Sequence, residues 1–385
     1  MKAVVSGMIA CFPVGGVAWD YGQYAAGLEK LGLDVYYLED TGLEGYDPDT
    51  GLYSDDPSYG VAFLEQSLSQ LSESLGRRWH FRAANGKTYG MAASEMREVM
   101  ASADVFINVS GGCLLRDEYL VCKRKVLIDT DPGWNHFVIF PRLDARTNTG
   151  GRGFREHDFF FTYAERIGTP ACNLPTFGFE WHTTRPPVVS DLWRPVPPGT
   201  RWTTVFSWDN YIKPVEYEGR SYGSKETEFK RIESLPSATD VELEVAAGGP
   251  RPPVGRWKSL GWGVADSQAI SRTLDTYRSY VSGSRGEFSV AKNIYVDTGS
   301  GWLSCRSACY LAAGRPVVLQ DTGFSEVIPV GKGLLAFRTL EEAVRAIETV
   351  EGDYASHQEA ARDVALQYLD SERVLGDMLA RVGLD

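Results

Sequence analysis

Short apolar runs of strand length alternate with helix-length amphipathic segments twice along this chain, and the alternation is broken once, by a stretch dense in proline. Val4–Ile9 reads as a buried strand, Pro13-Val14-Gly15-Gly16 as a loop, Tyr21–Leu31 as a helix and Asp34–Leu38 as a second strand. That order is a βαβ unit, which requires a parallel sheet and a right-handed crossover. Helical spacing recurs at Phe63–Leu75 and Ala92–Met100, and strands are predicted at Val105–Val109, Lys125–Ile128 and Phe159–Thr162. Thr184–Thr200 then carries five prolines in seventeen residues, the composition of an extended connector. Beyond it the rhythm restarts. Strands are predicted at Thr203–Ser207, Val241–Ala246, Ile294–Val296 and Pro316–Leu319, and helices at Glu226–Leu235, Asp266–Val281, Leu303–Ala313, Leu340–Thr349 and His357–Leu379. The expectation is an α/β protein of two doubly wound Rossmann-like domains facing across a cleft. The first spans 1–184, a hinge 185–200 and the second 201–355, and a closing helix at 356–385 is placed to pack back on the first domain.

Length supports two cores, since 385 residues exceed one ordinary domain. A net charge of −12 argues against broad binding to nucleic acid, which needs a basic face, while leaving room for a local basic groove. The six cysteines show no CxxC pair and several sit in apolar runs, so they read as reduced, intracellular thiols. The apolar start, MKAVVSGMIACFPVGG, reads as a strand and loop rather than a signal peptide, and no stretch approaches the roughly 18 apolar residues of a membrane span. A cytoplasmic protein without membrane contact is expected. No P-loop, GxSxG or zinc spacing is present.

The Arg285–Phe337 stretch carries the functional signal. It holds a glycine- and hydroxyl-rich loop (Thr298, Gly299, Ser300, Gly301), a helix and a Gly-Arg-Pro turn. A strand and a second polar loop follow, Asp321-Thr322-Gly323-Phe324-Ser325-Glu326. Two loops at the ends of parallel strands, one beside a helix N-terminus, make a site for a phosphate-bearing ligand. Arg285, Lys292 and Arg306 bracket the first loop, with Ser300 and Ser304 between them. Arg offers a bidentate fork for phosphate and Lys a point charge, and at least two of the three are expected to reach it. Glu287 pairs with these cations or orients hydroxyls of the ligand. Ser304 or Ser307 caps the helix. Trp302, inside the loop, is the aromatic residue expected to touch the ligand.

Ala312-Ala313-Gly314-Arg315-Pro316-Val317-Val318, the Asp321–Glu326 loop and Gly333-Leu334-Leu335 together resemble the nucleotide-sugar half of GT-B glycosyltransferases. In that family a small-residue helix ends in Gly-x-Pro-Val-Val, and an Asp-x-Gly-x-x-Glu loop leads to Gly-Leu-Leu. The likeness in organisation covers most of the chain, with residue matches confined to about fifty positions. The resemblance implies sugar transfer from a nucleoside-diphosphate sugar, without a metal or other cofactor, to a small-molecule or natural-product acceptor. A modified base in DNA or RNA is the alternative acceptor, and a non-catalytic nucleotide-sugar-binding protein the alternative role. It further implies donor contacts at Gly15, Gly16, Asp321, Thr322 and Gly323. Many retaining members carry two glutamates eight positions apart, where this chain has Gly301 and Cys309, so ribose contacts fall to Asp321 or Glu326.

Three groups are candidates for catalytic work. Asp20 follows the glycine loop, near where inverting members of the family carry a base, and equally fits the N-cap of the helix at Tyr21, the preferred reading. Asp129-Thr130-Asp131 looks like a DxD metal motif, though a cleft-lining polar role or a turn suits it better, and the pre-proline Asp131 can project its carboxylate into the cleft. His136 is the best histidine for a general base, against the commoner structural role of a lone histidine.

Overall fold

The computed structural model describes residues 1–142, 153–208, 213–249 and 251–384. Its first sheet holds β1 (Lys2–Ser6), β2 (Asp34–Glu39), β3 (Trp79–Arg82), β4 (Thr88–Gly90), β5 (Val105–Val109), β6 (Lys125–Asp129), β7 (Phe159–Thr162) and β8 (Trp181–Thr183). The spatial order is β8-β7-β6-β5-β1-β2-β3-β4, and only β3–β4 pairs antiparallel. The second sheet holds β9 (Arg201–Ser207), β10 (Glu242–Gly248), β11 (Gly263–Val264), β12 (Gly286–Ser289), β13 (Val317–Gln320) and β14 (Leu334–Phe337). It runs β11-β10-β9-β12-β13-β14 and is parallel throughout. Strands such as β5 and β6 are buried at every position because helices cover both faces. That is why they read in the sequence as unbroken apolar runs. Among the described residues no helix is long and apolar enough to cross a membrane.

Four local readings differ from the sequence expectation. The expected Glu226–Leu235 helix is limited to Lys225–Phe229, with turns and a 3₁₀ turn at Leu235–Ser237 after it. Ile294–Val296 lies in a helical turn, Asn293–Asp297, and the strand of that region is β12. The β-branched Ile and Val drew the assignment there, while Glu287 hid the strand by interrupting its apolar pattern. The expected Asp266–Val281 helix divides into Ser267–Ile270 and Leu274–Gly283, each with its own capping side chain, Asp266 and Thr273. His357–Leu379 likewise divides, into Tyr354–Val364, a π-helical turn and Ser371–Arg381.

The proline-rich segment is pinned rather than loose. Val188 donates its amide to Leu369 O (2.8 Å) and accepts from Ser371 N (2.9 Å), which ties the connector to the last helix. That helix, Ser371–Arg381, lies on the first domain's Gly15–Lys30 helix (α1). Gly27 allows the approach: a Cβ there would stand 2.7 Å from both Leu375 Cδ1 and Ser371 Cβ. Gln23, buried in α1, accepts from Val189 N and Trp193 Nε1 (3.0 Å each) and donates to Cys309 Sγ of the second domain (3.7 Å). One amide therefore joins both domains to the connector. Replacing Gly27 with Leu is expected to lower unfolding stability by about 1–3 kcal/mol through overpacking, read from denaturant unfolding, with Gly352→Ala as an exposed control that meets no neighbour.

Candidate functional site

The carboxyl ends of both sheets face one another, the place where open α/β sheets hold ligands. The first domain presents the loop after β1, Ser110 after β5, Asp129-Thr130-Asp131 after β6 and Tyr163 after β7. The second presents Ser289–Lys292 after β12, Gln320–Gly323 after β13, and Ser224–Lys225 at the start of the Lys225–Phe229 helix. Beside them starts the Cys305–Ala312 helix.

The seam between the domains is densely bonded. Lys292 Nζ lies 2.5 Å from Asp131 Oδ2, and the Tyr295 hydroxyl donates to Asp131 Oδ1 at 2.5 Å. Trp302 stacks on Tyr295 with ring centroids 4.3 Å apart and donates Nε1–H to Thr130 O (3.1 Å). Arg166 N donates to Ser300 O and Asn173 N to Thr298 O. Phe137 stacks between Tyr217 (4.5 Å) and Tyr222 (4.8 Å), which stand on the Val215–Tyr222 ribbon of the second domain. Each such ring pair adds about 0.5–1.5 kcal/mol beyond burial.

This packing reassigns part of the expected donor site. The Gly15 amide donates to Ser271 O (2.7 Å), and Gly16 lies against the Tyr277 ring, so both glycines provide close approach between the domains. Ser300 Oγ donates to Tyr295 O within its own loop. Gly301 N donates to Thr322 O (2.8 Å), and Thr322 Oγ1 donates back to Trp302 O (2.6 Å), which zips the two polar loops together. Gly299, Gly301 and Gly323, all at positive φ, form a trough along the Arg166 side chain. Asp321 accepts from Gly323 N, Ser325 Oγ and Arg338 Nη2, so its carboxylate is engaged by its own loop and a ribose contact there is not available. Glu326 is exposed. Ser304 stands at the N-cap of its helix without a side-chain cap bond, and buried Ser307 Oγ has no partner among the described residues, so neither serine caps. Cys309 faces Gln23.

Three further expectations are corrected. Arg285 sits at the amino end of β12, its guanidinium on Glu351 (3.0 and 2.6 Å) and stacked on the Tyr354 ring at 3.4 Å. The length of a four-residue strand, about 13 Å, separates it from the cleft. His136 has 0% exposure, with Nδ1 facing Pro175 O (2.7 Å) and Nε2 facing Asp129 Oδ2 (3.1 Å), so it fixes the β6 loop and reaches no acceptor. Asp20 is no cap, because α1 begins at Gly15. The two carboxylates of the DxD stretch also diverge: Asp129 binds Asn135, His136 and Thr162, while Asp131 faces Lys292. Among the described residues no group of three or more His, Cys, Asp or Glu could hold a metal.

What converges on the cleft instead is charge. Arg306 is buried and donates Nε to Glu287 Oε1 (2.5 Å), Nη1 to Val205 O (3.0 Å) and Nη2 to Ser289 Oγ. Glu287 Oε2 is buried with no partner among the described residues. Lys225, 8% exposed, lies over the Phe206 ring. Burial, then the nearby Arg306 and Lys292 charges, hold its amine well below the usual lysine range. Sequence reading placed a helix from Glu226 but missed Lys225, although Gly223-Ser224-Lys225 at the helix start was the available signal. Across the seam Asp20 in α1 lies beside Cys305, and burial pushes its carboxyl up to about 6. Tyr21 OH donates to Ser110 Oγ (3.1 Å), which lies 2.5 Å from Thr130 Oγ1, and Ser110 holds a left-handed φ of 59°.

The seam yields a direct test. Gly323→Ala places a Cβ 2.2 Å from Arg166 Nη1 at a φ of 97°, so it should displace Arg166 and cost about 1–3 kcal/mol. A change in Trp302 fluorescence should accompany the loss, and an unchanged spectrum and stability would remove the trough from the seam.

No protein-family model matches the chain, and no curated protein matches it. Among solved structures, AviGT4, a glycosyltransferase involved in avilamycin A biosynthesis, aligns with TM-score 0.54 and 13% identity over 99% of this chain and 96% of its own. HepE from Anabaena, in complex with UDP and glucose, gives TM-score 0.55 and 10% identity over 99% and 100%. An alpha-glucosyltransferase in complex with UDP and a 13-mer DNA containing an HMU base gives TM-score 0.57 and 13% identity over 99% and 98%. The chain has the GT-B fold.

Proposed function

We propose that this GT-B chain is a glycosyltransferase, moving a sugar from a nucleoside-diphosphate sugar held mainly by its second domain to a hydroxyl of a small-molecule or natural-product acceptor held by the first. The observation that carries the reading is the convergence of Lys225, Lys292 and Arg306 on the carboxyl ends of the second sheet. Lys292 pairs with Asp131 and Arg306 with Glu287, which leaves the buried Lys225 amine as the group that an anionic diphosphate would meet. The complexes of HepE and the alpha-glucosyltransferase with UDP support a nucleoside diphosphate as that anion.

In the transfer, the bond from the sugar's anomeric carbon to the phosphate oxygen breaks and a bond to the acceptor oxygen forms. The nucleoside diphosphate departs, and the acceptor proton passes to a base or to solvent. Negative charge builds on the departing phosphate, and preorganised cations in a site shielded from water stabilise it most. Lys225 gains most from that charge. An anion bound beside it raises its depressed pKa, so nucleotide binding is accompanied by proton uptake from the buffer. Arg306 holds β9 and β12 in register beneath it. Asp20, with a carboxyl near 6, suits the acceptor proton at neutral pH.

Thermal-shift titration should show stabilisation by at least one of UDP, GDP, dTDP and their sugars, and no response to any would sink the donor site. Lys225→Met and Lys292→Met should each weaken the responding nucleotide by about tenfold or more. Arg285→Ala should leave it unchanged. Calorimetry in buffers of different ionisation enthalpy should find proton uptake in the parent chain and none in Lys225→Met. With a working acceptor, kcat/KM should rise with pH through about 6. Asp20→Asn should lower kcat by about 100-fold to 10,000-fold and flatten that rise; retained activity would exclude Asp20 as the base.

A further inference from the structure

The first domain contains a cavity of about 100 Å³ at the carboxyl ends of β1, β2 and β3, separate from the cation cluster. Its floor is the Ala10 segment of the loop after β1, and its wall is aromatic: Tyr46, Tyr59 and Phe81. A two-stranded ribbon, Gly45–Asp47 with Leu52–Ser54, closes one side. That ribbon and the turn before it leave Leu43, Leu52 and Tyr53 exposed at 42%, 66% and 58%, an apolar lip beside a cavity. The tip of the ribbon touches the second domain, where Gln268 Nε2 donates to Pro48 O (3.0 Å) and Arg272 pairs with Asp49. The cavity therefore borders the seam on the acceptor side.

Its charge is opposite to that of the donor wall. Glu44, Asp47, Asp55 and Asp56 line it, and the basic groups nearby are Arg272, which pairs with Asp49 and lies over one face of the Tyr59 ring at 5.6 Å, and Lys87, which acts on Asp56; Tyr46 and Phe81 are the faces left for a bound cation. Asp47 and Asp56 accept from backbone amides of their own turns. Aromatic faces and unbalanced carboxylates together select a ring-bearing organic cation, by cation–π attraction and by charge. The same carboxylates repel a phosphate backbone. We infer that this cavity is an acceptor subsite for a small amine-bearing molecule, the protonated amine facing Glu44 and Asp55 and the ring lying between Tyr46, Tyr59 and Phe81. The inference rests on the transfer reading for what becomes of the bound amine, though binding itself does not.

Tyramine and its uncharged isostere tyrosol are the probes, titrated into the intact chain by calorimetry or ligand-observed NMR. Tyramine should bind at least about fivefold more tightly than tyrosol, and more weakly as salt rises. The exposed pair Glu44→Gln with Asp55→Asn should abolish the difference while leaving circular dichroism unchanged. Tyr59→Ala should weaken both probes. Equal binding of the two probes, no binding of tyramine, or tyramine binding untouched by both sets of substitutions would each overturn the subsite. A single-stranded DNA 13-mer that binds better than tyramine and competes with it would overturn it too, in favour of a nucleic-acid acceptor. A nucleotide titration on the same sample separates the two claims. A nucleotide response without tyramine binding removes the cavity alone, and tyramine binding without a nucleotide response removes the donor site alone.

Discussion

A guanidinium buried beside a single carboxylate organises the second half of this molecule. Arg306 reaches back from the first turn of its helix to Glu287, Ser289 and Val205, and so fixes the carboxyl ends of β9 and β12 relative to one another. Removing either partner would strand a buried charge, a loss of about 3–5 kcal/mol in comparable pairs. Burial lowers the Lys225 amine most, and the Arg306 charge lowers it further, so a structural contact contributes to the state of a cleft lysine. Structure and site share one electrostatic arrangement here.

The seam adds a second layer. Asp131 belongs to the first domain but holds Lys292 and Tyr295 of the second, and Trp302 closes over that contact. Loops that would be open in a separated domain are shaped by these partners. The cleft is accordingly a product of both sheets, with the Lys292–Asp131 ion pair spanning it and the Arg306–Glu287 pair lining one wall.

Much of the architecture was legible because parallel strands covered on both faces must be apolar throughout, as in Val105–Val109, and because Gly-Arg-Pro punctuates helix and strand. β12 escaped notice since its Glu287 is neutralised by a residue nineteen positions away. Arg285 and Lys292 looked equivalent on either side of that region, and only the strand's direction, with its carboxyl end toward the cleft, separates them. His136 drew attention as a base, yet its partner Asp129 is the last residue of the strand that leads into its own loop. The donor loop misled for a different reason. Its glycines answer to Arg166, more than a hundred residues earlier, and no local pattern can announce that contact.

That trough has a consequence for how the loop behaves. Gly299, Gly301 and Gly323 take left-handed backbone shapes that other residues adopt only with strain, and an arginine from the opposite domain fills the volume their missing side chains leave. Glycines in a polar loop usually signal freedom of movement. Here they make a fitted socket, cast against a plug that the other half of the chain supplies, and stiffness follows from their small size.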